Sequence, residues 1–301
     1  NSVPESRRAF VARLVAVAGN PAYSIAAREL ALRHIPYSAD ENDVAPLFPL
    51  LKHRDPKIAE MTRYALTPIP GDSITRALRE AVGSVADDAK KAALIHALGV
   101  RRDQESVPFL AGLAAHSSST VAAAAVEAFG MVGSSYSALA LQKIFATTEE
   151  AAIKERAGFA LVRCAGLLAD GGDRDTARSI CDGLLKEKGN PGYRLAAFTS
   201  HARLSPDPAG TALAALLGDD RSLHSAAARF LSAAEDETLN ARLAAAIRGQ
   251  KPETQAALLD IAASRKAHEA LEPARELLSA PTTATRSAAI TALGVIGDQT
   301  V

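Results

Sequence analysis

Thr285-Arg-Ser-Ala-Ala-Ile-Thr-Ala-Leu-Gly-Val-Ile-Gly-Asp298 carries the pattern of a stacked helix. Its apolar residues recur one, two and three helical turns apart, and the same frame stands at Val121-Ala-Ala-Ala-Ala-Val-Glu-Ala-Phe-Gly-Met-Val-Gly133. A helix with so broad an apolar stripe cannot bury it alone; it needs neighbours stacked on both sides. The frame therefore predicts an all-α chain, an α-solenoid of about eight helical hairpins.

Repeat starts fall at Asn20, Asp55, Asp87, Ser118, Glu149, Asn190, Asp220, Lys251 and Pro281. That is a period of about 30 residues, room for two helices and two turns. Asn20-Pro21, Asp55-Pro56 and Asn190-Pro191 are opening pairs in which the side chain caps the first turn and Pro fits the first helical position. Second helices are expected to start at Asp43, Asp72, Asp103, Ser135, Asp173 and Asp236. The division read from this is an N-terminal helix or partial repeat over 1–19 and the repeat array over 20–301. The array ends after the first helix of its last repeat, and the chain opens on Asn1 rather than Met, so it reads as a segment of something longer. An open last repeat would present an apolar face suited to self-association. The unit from Glu149 to Gly189 is longer than the rest. Two helices each one turn longer would explain it, and so would a lengthened loop around Gly171-Gly172.

Composition agrees. Of 301 residues, 48% are hydrophobic, but only 4% are aromatic and Trp is absent, so the burial falls to Ala, Leu, Val and Ile, which suit closely spaced helices. Ala125, Ala128, Ala289 and Ala292 are the expected points of closest approach. Lys+Arg and Asp+Glu are both 34, which leaves no global field to draw in nucleic acid or anionic lipid. No run of about 18 apolar residues is present to span a membrane. Phe10 to Ala18 is interrupted by Arg13 and reads as an amphipathic helix rather than a leader.

The terminal stretch resembles the first helix of HEAT repeats, Val-Arg-x-x-Ala-x-x-Ala-Leu-Gly-x-Ile-Gly-Asp, at Arg286, Ala289, Ala292, Leu293, Gly294, Ile296, Gly297 and Asp298. Ala97-Leu98-Gly99 matches its centre. Met61-Thr-Arg-Tyr-Ala-Leu-Thr-Pro-Ile-Pro70, Gly99-Val-Arg-Arg-Asp103 and Ala165-Gly-Leu-Leu-Ala-Asp-Gly171 are similar to segments of large bacterial HEAT proteins. Those proteins are often exported, and some are fused to c-type cytochrome or sugar-active modules. The resemblance implies a protein-binding scaffold. Its alternative is an accessory or spacer segment of a larger exported redox or carbohydrate-active enzyme. It also implies second helices on the concave side of the array. A nucleic-acid enzyme of the related alkyl-base glycosylase kind is disfavoured by the zero net charge and the absence of Trp.

The residues offer little chemistry of their own. His34, His53, His96, His116, His201, His224 and His268 include no pair at i,i+3 or i,i+4, and His268-Glu269 is a single His-Glu step. No phosphate-cradling glycine loop and no Gly-x-Ser-x-Gly occurs. No catalytic, metal or cofactor set is therefore read, and the expected partner is a protein or a fused domain, with neither nucleic acid nor a membrane span. Arg63 and Tyr64 are candidate interface anchors by residue type. Arg101 and Arg102 are candidates because they stand in the family-like segment Gly99–Asp103, where they could contact a ligand or tie adjacent turns together through Asp partners. Cys164 and Cys181 flank the Gly171 turn, where they could face one another as buried thiols or as a disulfide; the latter would suit an exported protein.

Overall fold

The computed structural model describes residues 2–188 and 191–297. All the regular structure among them is helical. The chain divides into two compact units, Asn1–Ala177 and Arg178–Val301. The first holds α1 (Ser2–Gly19), α2 (Ile25–His34), α3 (Pro56–Leu66), α4 (Asp72–Ser84), α5 (Asp88–Val100), α6 (Val107–Leu113), α7 (Ser119–Val132), α8 (Ser135–Thr147) and α9 (Ala151–Asp170). The division falls inside α10 (Arg174–Lys186). The second holds α11 (Pro191–Leu204), α12 (Pro208–Leu217), α13 (Arg221–Ala233), α14 (Leu239–Ile247), α15 (Pro252–Ser264), α16 (Leu271–Glu276) and α17 (Thr283–Ile296).

In each unit the first helices of successive repeats stack on one another, α5 on α7 and α7 on α9, then α11 on α13, α13 on α15 and α15 on α17. Second helices lie against them, α8 between α7 and α9 and α14 against α15. The helical-repeat solenoid expected from the sequence is the architecture seen. The apolar stripe of α7 is wholly inside: Val121, Ala125, Val126, Ala128 and Phe129 are all fully buried. Removing each large side chain of that set from water contributes about 1.5–3 kcal/mol, which is where the repeat draws its stability. In the second unit a single core runs from Phe198 through Leu213, Leu243 and Leu258 to Ile296.

Asp55, Asp87 and Asp220 do cap α3, α5 and α13, accepting from the N–H groups of Lys57, Lys90 and Ser222. Asp173 caps α10 in the same way through Thr176. Elsewhere the sequence-based starts shift. Asn20 closes only a local turn onto the Ala22 N–H, and Ser24 is the residue that caps α2. Asp43 answers Asp40 in a capping box on a short 3-10 turn, and the segment after it, Ala45–Lys52, is a 3-10 helix rather than an α-helix. Pro46 and Pro49 explain that: neither has an N–H to give, and a proline inside an α-helix clashes with the preceding turn. Ser134, not Ser135, caps α8 in a capping box with Ser137. Lys251 cannot accept, and α15 starts on Pro252 with no side-chain cap. The expected cap Asn190 and the motif residue Asp298 lie outside the described residues, as does the chain end at Val301.

The long unit is explained by one helix alone. α9 has 20 residues against 13 in α10, so the extra turns belong to the first helix and are not shared between the two. The turn after it is tight, with Gly172 at φ 94°. Cys164 and Cys181 are both free and fully buried thiols, so the disulfide considered from sequence is not present. Cys164 Sγ lies 3.7 Å from both Ser137 Oγ and the Ser134 carbonyl. Burial raises its pKa, and burial together with Asp182 pushes that of Cys181 up to about 11. A thiol needs its thiolate and an access path to react. Both should therefore resist iodoacetamide in the folded chain, and two free thiols should titrate once it is unfolded in urea without reductant. A count of zero in urea would restore the disulfide.

Candidate functional site: a cleft in the second unit

The interface candidates read from sequence do not assemble into one site. Arg101 ends α5 and turns its guanidinium onto the preceding repeat. Nε donates to Thr75 Oγ1 at 2.9 Å, Nη1 to the carbonyls of Leu66 at 3.2 Å, Thr67 at 3.0 Å and Ile69, and Nη2 to the Gly71 carbonyl at 2.7 Å. Burial lowers its pKa, an effect opposed by Asp103, Glu41 and Asp72. Its role is thus structural, with backbone carbonyls rather than the expected aspartates as partners. Arg102 follows in the left-handed region at φ 54°, exposed to solvent. Arg63 is engaged by Glu60 on its own helix, and Tyr64 is half exposed.

The second unit repeats this arrangement. Arg265 ends α15, and its guanidinium donates to Asn240 Oδ1 at 2.9 Å and to the carbonyls of Leu231 at 2.8 Å, Ala234 at 2.6 Å and Asp236 at 3.2 Å. Lys266 follows, again at φ 54°. An arginine then a left-handed residue is this chain's recurrent way of ending a first helix and gripping the repeat before it.

A cleft of about 610 Å³ lies elsewhere, formed by α11, α13, the start of α12 and the α13–α14 connection. It was not expected from sequence. Thr199 and Arg203 reach it from one face of α11, being four residues apart, and Ala226, Arg229, Phe230 and Ala233 share one face of α13. Pro208 and Ala209 close the side at the start of α12. The alanines leave the space; Phe230, half-buried, supplies the apolar wall. The volume lies inside the range of about 300–1,000 Å³ typical of binding clefts.

Its charges are unevenly committed. Asp236 accepts from Thr238 N and Oγ1, both at 2.8 Å, and stands 3.7 Å from Arg242; those bonds hold its pKa below the usual carboxylate value. Arg194, Arg242 and Arg248 are all paired, with Asp220, Asp207 and Glu276 at 2.7, 2.8 and 2.6 Å, each pair joining neighbouring repeats. Arg203 and Arg229 are exposed and, among the described residues, make no hydrogen bond or ion pair. Two uncommitted guanidinium groups thus point at one half-apolar cleft, with Glu235 as the one carboxylate there outside any pair. Among the described residues, no three His, Cys, Asp or Glu side chains are grouped as metal ligands. No helix described is long and apolar enough to cross a membrane.

A family model described as HEAT repeats matches residues 75–162, from α4 into α9. No curated protein sequence matches the chain. Among solved structures, human deoxyhypusine hydroxylase in complex with glycerol is similar at 15% identity, with 97% of each chain covered and a TM-score of 0.35. The complex of CpcE and CpcF of phycocyanin lyase from Nostoc sp. PCC7120 is similar at 17% identity, 83% of this chain, 93% of that one, and a TM-score of 0.40. Kap121p is similar at 13% identity, 98% of this chain, 41% of that one, and a TM-score of 0.44. At such distances these likenesses bear on no functional point.

Proposed function

We propose that the chain is a non-catalytic scaffold that recognises a protein partner, or a domain fused to it, through the surface of its stacked helices. The observation that carries this reading is the cleft between α11 and α13, where uncommitted arginines meet an apolar wall. Arg beside an aromatic is the combination that dominates protein–protein binding energy, and helical repeats present such patches on a rigid frame. The HEAT match over 75–162 supports the repeat frame on which such a surface is displayed. The narrower reading, a bacterial exported protein serving as a spacer in a redox or carbohydrate-active enzyme, has only the likeness of Met61–Pro70, Gly99–Asp103 and Ala165–Gly171 behind it.

Photo-cross-linking in the source cells tests the scaffold. A benzophenone amino acid placed at Ala233, in the cleft, should give a discrete protein adduct. The same group at exposed Glu80, in the other unit, should not. Equal labelling at the two positions, or none at Ala233, would count against a cleft-directed scaffold.

A further inference from the structure

We infer that the cleft between α11 and α13 takes an acidic, extended segment of a protein partner, with carboxylates at Arg203 and Arg229 and an apolar side chain against Phe230. This rests on the scaffold reading and names the chemistry of what that scaffold holds. Charge complementarity is the first argument. The second unit pairs its arginines as a rule, across repeats to Asp220, Asp207 and Glu276 and, for Arg265, to four acceptors of the preceding repeat. Arg203 and Arg229, like Arg221, stand outside that pattern, but these two sit on different helices and line one cleft. A guanidinium offers a planar fork of donors that fits a carboxylate with two parallel hydrogen bonds. Asp236, which also lines the cleft, is already engaged by Thr238 and Arg242 and does not neutralise them.

The second argument is shape. The walls between the arginines are Phe230, Pro208 and alanines, which a small inorganic anion would leave uncovered. An extended chain places alternate side chains about 7 Å apart on one face, so an acidic residue and an apolar one can enter side by side. Glu235, the unpaired carboxylate at the α13–α14 connection, sets the polarity of the segment: a residue next to it should be neutral or basic.

The test uses the full chain and a fluorescein-labelled peptide, Glu-Glu-Leu-Glu-Phe-Glu-Gly-Lys, read by anisotropy. The comparison peptides replace every Glu by Gln or by Lys. The acidic peptide should bind, the other two should not, and affinity should fall with added salt as the screening length shrinks from about 10 Å at 0.1 M to about 3 Å at 1 M. The double variant Arg203→Glu/Arg229→Glu should lose about tenfold or more in affinity. Arg221→Glu removes another exposed, unpaired arginine of the same unit from outside this cleft, and should bind as the parent does. Both variants change exposed groups with no bonds to lose, so melting should stay close to that of the parent, which separates lost binding from lost fold. Equal losses in Arg221→Glu and the double variant would reduce the effect to a general field and overturn the assignment. Displacement of the peptide by excess inorganic phosphate but not by an unlabelled acidic peptide would also overturn it. A photo-adduct at Ala233 with no preference among the three peptides would overturn the acidic occupant alone and leave the scaffold standing.

Discussion

Gly130→Val should melt well below the parent chain. Gly130 lies in α7, where the first helices of adjacent repeats come closest. A Cβ built there would stand 2.9 Å from both Cα and the carbonyl oxygen of Ala160 in α9, and 3.0 Å from its Cβ. Two of those atoms are backbone, so no side-chain rotation relieves the clash, and α9 must move as a body. Overpacking a close-packed core costs about 1–3 kcal/mol, and the upper part of that range applies where the opposing wall is a helix backbone. Gly99 meets Ala128 in the same way, at 2.8 Å from its Cα, so Gly99→Val should behave alike. Gly166 provides the opposite sign. It lies inside α9 with nothing within 4 Å of its added Cβ, and Gly166→Ala should gain up to about 1 kcal/mol from helix propensity. Thermal melts of the three variants by circular dichroism decide the matter. A Gly130→Val midpoint equal to the parent's would mean that α7 and α9 do not touch there.

The second large effect is expected at Arg101. Its guanidinium serves Thr75 and the carbonyls of Leu66, Thr67, Ile69 and Gly71, the whole turn between α3 and α4. Truncation removes charge-assisted bonds and leaves partly buried carbonyls without a donor, a loss on the order of 3 kcal/mol. Arg101→Lys should recover little, since a single ammonium cannot reproduce a planar fork that spans several acceptors. Arg265→Ala should destabilise the second unit similarly, because its donors serve the same kind of turn. Urea titrations that leave Arg101→Ala within error of the parent would contradict the gripping role.

Those two sites show how far the sequence could be read. The frame Ala-Leu-Gly or Ala-Phe-Gly announced stacked helices, and Asp55, Asp87 and Asp220 marked helix starts correctly, because capping is a local matter of one side chain and its own first turn. Why the glycine closes the frame at 99 and 130 was not legible, since Ala128 and Ala160 belong to the next repeat and enter only through packing. Met61–Pro70 and Gly99–Asp103 stood out as separate family-like segments. The structure joins them as acceptors and donor of one bonded set, a link across about thirty residues that local pattern cannot supply. The 3-10 helix over Ala45–Lys52 was legible in principle from Pro46 and Pro49, whose missing N–H groups outweigh the apolar periodicity. The cleft was the least legible feature. Arg203 and Arg229 stand at different offsets in their repeats, and only the stacking of α11 on α13 brings them to one place. Arg63 and Tyr64 were chosen by residue type and Arg101 and Arg102 by a family-like segment, and neither ground can tell an arginine that binds its own fold from one that does not.

Hydrogen exchange of the full chain, free and saturated with the acidic peptide, sets those two groups of residues against each other. Binding at the cleft should slow amides of α11, α13 and the Ala233–Asp236 connection, and leave the α3–α5 region unchanged. Slowing centred on Arg63, Tyr64 and Arg102, or no slowing between Thr199 and Asp236, would contradict the account.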